Sequence, residues 1–312
     1  MPMKKLSIII LFFLLGHSMS HAQLFPVFSQ YYFNELTINP AYAGAHVQLS
    51  ATTTYRNQWI NFPGSPKTMA FTAHSSFMRG KVGVGLLANV DKIGSYANKD
   101  LSAIYSYRLK FGTSTLSFGL QAMMYFMSAD FSNLNLKDPG FNDFVPINLM
   151  RPNIGTGIYY SRKNFFAGLS VPMLMNADFS KSGLSAPVKQ ARNYFLRSGF
   201  ISNLDDRGDF KINPSFLVRL QEGQPVSADL NAAVIFYDVF SAGASYRVGF
   251  STIGFVSLKI TEQLYFNYSY DFSRNDMRPF SNGTHELMLN YRYKISRVHK
   301  NLPCPGYFNY HE

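Results

Sequence analysis

The sequence predicts an all-β fold: a single transmembrane antiparallel β-barrel of about 14 strands, with short periplasmic turns and longer extracellular loops. Three observations predict it. Apolar residues recur with a period of two along most of the chain. The N-terminus has the order of residues expected of an exported protein. Connections between alternating segments are brief on one side and mostly longer on the other.

Lys4 and Lys5 precede an uncharged apolar run from Leu6 to Leu15, followed by Ser20 and Ala22 at the small-residue positions. Residues 1–22 therefore read as a secretory signal peptide cleaved after Ala22. An apolar run of about ten residues is too short to anchor the chain, because a helix needs about 20 to cross a bilayer. The expected destination is the outer membrane. No later stretch approaches membrane-helix length, so helical spanning is excluded, whereas a barrel hides its apolar residues in alternation. A single cysteine, Cys304, rules out an intrachain disulfide. The net charge of +11 includes Lys4 and Lys5. The remaining basic residues are scattered and carry no nucleic-acid signature, so headgroups of outer-membrane lipid and protein partners are the expected counterparts, not nucleic acid.

Strands are expected near 47–57, 66–77, 81–91, 98–110, 114–127, 152–161 and 164–171, then near 192–203, 209–220, 226–237, 239–248, 251–260, 262–272 and 283–295. Within them Val82, Val84, Leu86, Ala88 and Val90 oppose Gly83, Gly85, Asn89 and Asp91. Leu116, Phe118, Leu120, Ala122, Met124 and Phe126 oppose Ser117, Gly119 and Gln121. Later, Leu264, Phe266, Tyr268, Tyr270 and Phe272 oppose Asn267, Ser269 and Asp271. A soluble sandwich would bury the apolar faces against a second sheet; a barrel would turn them to lipid. Parity favours the barrel. With the N-terminus starting in the periplasm, links at 79–80, 111–112, 162–163, 237–238 and 261–262 fall on one side, and the long connections 128–151, 172–191 and 273–282 on the other.

Residues 23–46 neither alternate nor repeat at helical spacing. They contain Ser29-Gln30-Tyr31-Tyr32-Phe33-Asn34 and Ile38-Asn39-Pro40-Ala41-Tyr42-Ala43-Gly44. Together with Tyr55-Arg56-Asn57-Gln58-Trp59, Phe62-Pro63-Gly64-Ser65-Pro66-Lys67-Thr68, Gly168-Leu169-Ser170-Val171-Pro172 and Gly283-Thr284-His285-Glu286, this run resembles the PorP/SprF family of Bacteroidetes. Further matching stretches extend the resemblance over almost the whole mature chain. It implies an outer-membrane protein of type IX secretion and gliding motility, which assembles that machinery or retains exported adhesins. Its implied partners are periplasmic or surface components of the machinery and a secreted adhesin.

Asn39-Pro40 disfavours helix at Asn39, and Gly44 permits a turn closed to other residues, so Asn39, Pro40, Ala41, Tyr42 and Gly44 are the candidate partner or plug motif. Two readings stand side by side: a plug or cap for the barrel, or a tight lead-in turn to the first strand. Trp59, the only tryptophan, is expected to anchor at the membrane interface. Asp100, Arg108, Arg219, Asp229, Asp271, Glu286 and Arg292 fit lumen-facing positions, where a paired polar interior and a substrate pathway are the alternatives.

No metalloprotease, redox, phosphate-loop or dinucleotide motif is present, the histidines lack ligand spacing, and no cofactor is expected. A serine with His285 and an acid is conceivable as a nucleophilic site, but His285 and Glu286 fall on opposite strand faces. The expected function is therefore non-enzymatic, with a diffusion channel or small-solute transporter as the alternative. Residues 296–312 are expected to form a periplasmic tail.

Overall fold

Alternation gives each strand one apolar and one polar face, and closing the sheet on itself sorts the two. The computed structural model describes residues 28–46, 49–130, 147–178, 189–274 and 278–293. The expected signal peptide and tail, with Cys304, lie outside the described residues. The barrel strands are β1 Leu49–Asn57, β2 Lys67–Phe77, β3 Val82–Ile93, β4 Tyr96–Phe111, β5 Ser114–Ala129, β6 Ile147–Arg162 and β7 Phe165–Val171. They continue as β8 Asn193–Phe200, extended by Ser202–Asn203, then β9 Phe210–Gln221, β10 Ser227–Phe236, β11 Phe240–Arg247, β12 Ser251–Lys259, β13 Leu264–Ser273 and β14 Thr284–Tyr293. Each pairs antiparallel with the next, and β14 returns to β1 from Leu49↔Tyr293 to Asn57↔His285. The result is a closed barrel of 14 strands with no free sheet edge.

The short links 78–81, 112–113, 163–164, 204–209, 237–239 and 260–263 share one end. The other end, the long-loop end, carries 58–66, 94–95, 222–226 and 248–250, and there β5, β7 and β13 end and β6, β8 and β14 begin, across the longer sequence intervals 130–146, 172–192 and 274–283. In outer-membrane barrels the short-turn end faces the periplasm. The turn at 204–209 is held by Asp205, whose carboxylate accepts the Phe210 N–H at 2.8 Å and the Asp209 N–H at 3.2 Å. Those backbone donors hold its pKa below the usual carboxylate range.

The strand ends around 92–97 and the start of β6 differ from expectation. Residues 92–97, read as part of a link, belong mostly to β3 and β4, which run to a tight turn at Gly94-Ser95 with Gly94 at φ +56°. β6 starts at Ile147, five residues before the expected 152, because pairing with β5 from Ala129↔Ile147 overrides the local signal of Pro152. Beyond the hydrocarbon both faces of a strand meet polar surroundings, so alternation fades before the hydrogen-bond ladder ends.

Outward positions carry Phe118, Leu120, Phe126, Leu287, Leu289 and Tyr291, all exposed. A continuous belt of this kind would be intolerable in water and suits hydrocarbon. Leu120, 64% exposed near the middle of β5, is a direct probe. L120R is expected to destabilise the barrel by about 2–4 kcal/mol in lipid vesicles, measured by reversible denaturant unfolding. An unchanged midpoint would mean that this face does not meet the membrane core.

Candidate functional site: the occupied lumen

Inward positions are not uniformly polar. Leu87, Ile104, Tyr159, Phe166, Phe195 and Leu217 are buried on the inner wall, and what covers them is the segment before β1. Every residue from Phe28 to His46 is buried. The segment folds as three single 3₁₀ turns, Ser29–Tyr32, Glu35–Thr37 and Pro40–Tyr42. Such turns have no hydrophobic period of their own, and their irregular backbone survives at membrane depth because protein surrounds it.

Its first turn sits at the long-loop end. The Ser29 and Gln30 amides donate to the two carboxylate oxygens of Glu286 at 2.9 and 2.8 Å. Arg56 bridges Glu286 at 2.9 Å and Asp271 at 3.0 Å, and it donates to Ser29 Oγ at 2.7 Å. Ser29 Oγ in turn donates to Asp271 at 2.7 Å. The charges of β1, β13 and β14 thus converge on one turn of the inner segment. Deeper in, Tyr32 and Phe33 pack edge-on against each other, Phe33 meets Phe255 edge-on and Tyr32 meets it tilted, with Ala233, Ile235, Tyr265 and Met288 in the same cluster. Glu35 pairs with Arg197 at 3.0 Å and accepts the Tyr159 hydroxyl at 3.3 Å. Arg197 also donates to Tyr31 O at 3.2 Å.

The Asn39–Gly44 motif lies against β2 to β7. Asn39 Oδ1 accepts the Ala41 N–H at 2.9 Å, capping the last turn, while its Nδ2 donates to Ile158 O at 3.1 Å. Ser170 Oγ donates to Ile38 O and Ser106 Oγ to Ala43 O, each at 2.6 Å; the Gly44 N–H donates to His74 Nδ1, and Arg108 donates to Gly44 O. Inner-wall glycines make this approach possible. A Cβ on Gly119 would lie 2.1 Å from Ala41 N, one on Gly157 2.2 Å from Asn39 Oδ1, and one on Gly83 2.0 Å from Ala43 O. Gly44 itself, at φ +70°, would bring a Cβ to 2.6 Å from Gly83 Cα.

All seven expected lumen residues have inward register positions, but they do not form one constellation. Asp271 and Glu286 meet at Arg56; Arg108 holds Gly44; Asp229 pairs with Arg247 at 2.8 Å; Asp100 accepts from Asn89 at 3.0 Å. Arg292 donates to Asn290 and lies 4.5 Å from the Tyr265 ring centre. Arg219, 9% exposed, lies beside the Asp229–Arg247 pair and has no ion pair among the described residues. Trp59 is half-buried in the 58–66 loop, its amide bound to Thr284 Oγ1 at 3.2 Å and its ring edge-on to Phe62. His285 bonds Tyr268 on the outer face at 2.7 Å, whereas Glu286 points inward to Arg56 and the inner segment. No group of metal-binding side chains occurs among the described residues.

Sequence reasoning missed Arg56, Glu35 and Arg197 as site residues. The available signal was parity: Arg56 and Arg197 are single cations at inward positions of strands whose inward neighbours are uncharged.

A family model described as type IX secretion system membrane protein PorP/SprF matches residues 20–291. The chain belongs to the PorP/SprF family. No curated protein matches it. Among solved structures, this PorP/SprF protein is similar to Omp33 of Acinetobacter baumannii, with 9% identity, 79% of this chain and 97% of that chain covered, and a TM-score of 0.46. It is also similar to a FadL homologue of Pseudomonas aeruginosa at 12% identity, covering 89% and 97%, with a TM-score of 0.46. Outer membrane phospholipase A from Escherichia coli shares 9% identity over 86% and 99%, with a TM-score of 0.37. The fold follows from the strand pairing itself.

Proposed function

We propose that this PorP/SprF barrel is a non-enzymatic outer-membrane subunit that works by its surfaces, assembling the secretion and motility machinery or retaining an exported adhesin. One observation carries the reading: residues 28–46 of the same chain fill the lumen and bond to strands around its wall. A filled barrel has no path for a solute, so its business is with proteins at its two ends and with lipid around its belt. In this reading the chain reaches the outer membrane through a cleaved signal peptide, residues 28–46 act as a plug, Trp59 anchors the outer rim, and residues 296–312 extend into the periplasm toward partners.

The channel alternative is tested by planar-bilayer recording. The purified protein is expected to show no current, and a variant lacking residues 28–46 is expected to show discrete steps. Affinity purification from outer membranes, with and without residues 297–312, is expected to recover machinery components or a surface adhesin. Current through the intact protein, combined with capture of no such partner, would leave a transporter as the better reading.

A further inference from the structure

We infer that the outer wall of β2–β4 at the long-loop end binds the phosphate groups of an outer-leaflet glycolipid. Lys67 and Lys92 are directly opposite each other in the β2–β3 ladder. Lys92 faces Ala97 in the β3–β4 ladder, which places Lys99 on its diagonal. All three are exposed at outward register positions. Directly opposed side chains are about 5 Å apart at Cβ and diagonal ones about 7–8 Å, and like charges so placed repel. None of the three forms an ion pair among the described residues.

The sequence has acids beside these lysines, but the pleat separates them. Asp91 turns inward and accepts Thr68 Oγ1 at 2.6 Å, and Asp100 turns inward to Asn89. The ammonium groups therefore stand outside without their neighbouring carboxylates. Asp130, which follows β5, is one strand beyond β4. A groove of about 450 Å³ opens beside Lys67 and Lys92, lined also by Ile60, Phe62, Ser65 and Gly94. Toward the membrane centre the same wall continues as Met69 and Leu101, each more than half exposed.

Cations above an apolar wall match an amphiphile, with phosphate at the level of the lysines and acyl chains along Met69 and Leu101. A free anion would make no use of the apolar wall, and inner-leaflet phospholipid sits at the other end of the barrel. The inference depends on the long-loop end facing outward, as in the proposed outer-membrane reading.

Detergent-solubilised, delipidated full-length protein is titrated with bisphosphorylated lipid A, dephosphorylated lipid A, phosphatidylglycerol and inorganic phosphate. The K67Q/K92Q/K99Q variant is expected to bind bisphosphorylated lipid A on the order of a hundredfold more weakly than wild type, as is wild type with the dephosphorylated form. The variant's folding is checked by its heat-dependent gel mobility, and K92Q alone, expected to weaken binding roughly fivefold, serves if the triple variant does not fold. Equal binding by wild type and variant overturns the inference. So does equal binding of dephosphorylated lipid A or phosphatidylglycerol, or displacement by millimolar inorganic phosphate. Orientation is read separately by labelling S95C, in a C304S background, with an impermeant maleimide on intact cells. Labelling supports the outward placement, and failure to label overturns both the inference and the outer-surface assignment of this end.

Discussion

Replacing Gly119 with valine is expected to convert a non-conducting barrel into a conducting one. The Cβ would lie 2.1 Å from Ala41 N and 2.4 Å from Pro40 C, both backbone atoms with no rotamer to change. Overpacking of this kind costs about 1–3 kcal/mol when the surroundings absorb it. The strand is held in its ladder by β4 and β6, whereas the inner segment is held by scattered side-chain bonds and shallow turns. The segment is the part that gives way. The outer face of β5 is untouched, so the variant still inserts as a closed barrel. Gly254 provides the control, since a Cβ there meets nothing within 4 Å. G254V is expected to remain silent in planar bilayers while G119V shows discrete current steps. A silent G119V with normal gel mobility would mean that the lumen closes by other means.

The barrel was legible in the sequence because its chief constraint is local. Val82 to Val90 and Leu116 to Phe126 alternate because one side meets hydrocarbon, and that requirement repeats at every second residue regardless of partner. The strand ends around Gly94 and Ile147 were less legible, since above the hydrocarbon neither face of β3 to β6 has to be apolar. Pairing extends there through backbone hydrogen bonds, which leave no mark on composition.

The inner segment was visible as an anomaly, but its destination was not. Tyr31, Phe33, Leu36 and Tyr42 follow no period because they are divided among three clusters on different parts of the wall. Gly83, Gly119 and Gly157 carry two compatible meanings in one dimension: space for a solute, or space for a backbone. Only the folded chain distinguishes them, by placing Ala43, Ala41 and Asn39 in that space. Glu286 was legible as a lumen residue from its parity, yet its partners at Arg56, Ser29 and Gln30 are distant in sequence and follow from barrel closure.

Those partners make E286A the second large effect. Glu286 is fully buried and accepts two backbone amides and the Arg56 guanidinium. A buried ion pair adds little net stability compared with an apolar contact, because both charges must leave water, but removing one partner strands the other. In E286A the Ser29 and Gln30 amides lose their acceptor and Arg56 keeps Asp271, Ser29 and a long bond to Gln58 but loses one of its two carboxylates, at a cost of about 3–5 kcal/mol. The relief available to the chain is to lift the first turn toward the long-loop end, where water satisfies those groups. The expected result is a lower denaturant midpoint together with a new chymotrypsin cut among Tyr31, Tyr32 and Phe33, located by sequencing the fragments. E286Q retains one acceptor oxygen but turns an N–H₂ toward donors, so it should fall between wild type and E286A in both readouts. If E286A unfolds at the wild-type midpoint and stays uncut at these residues, the inner segment is held by its apolar contacts alone and the Arg56 cluster is incidental to its seating.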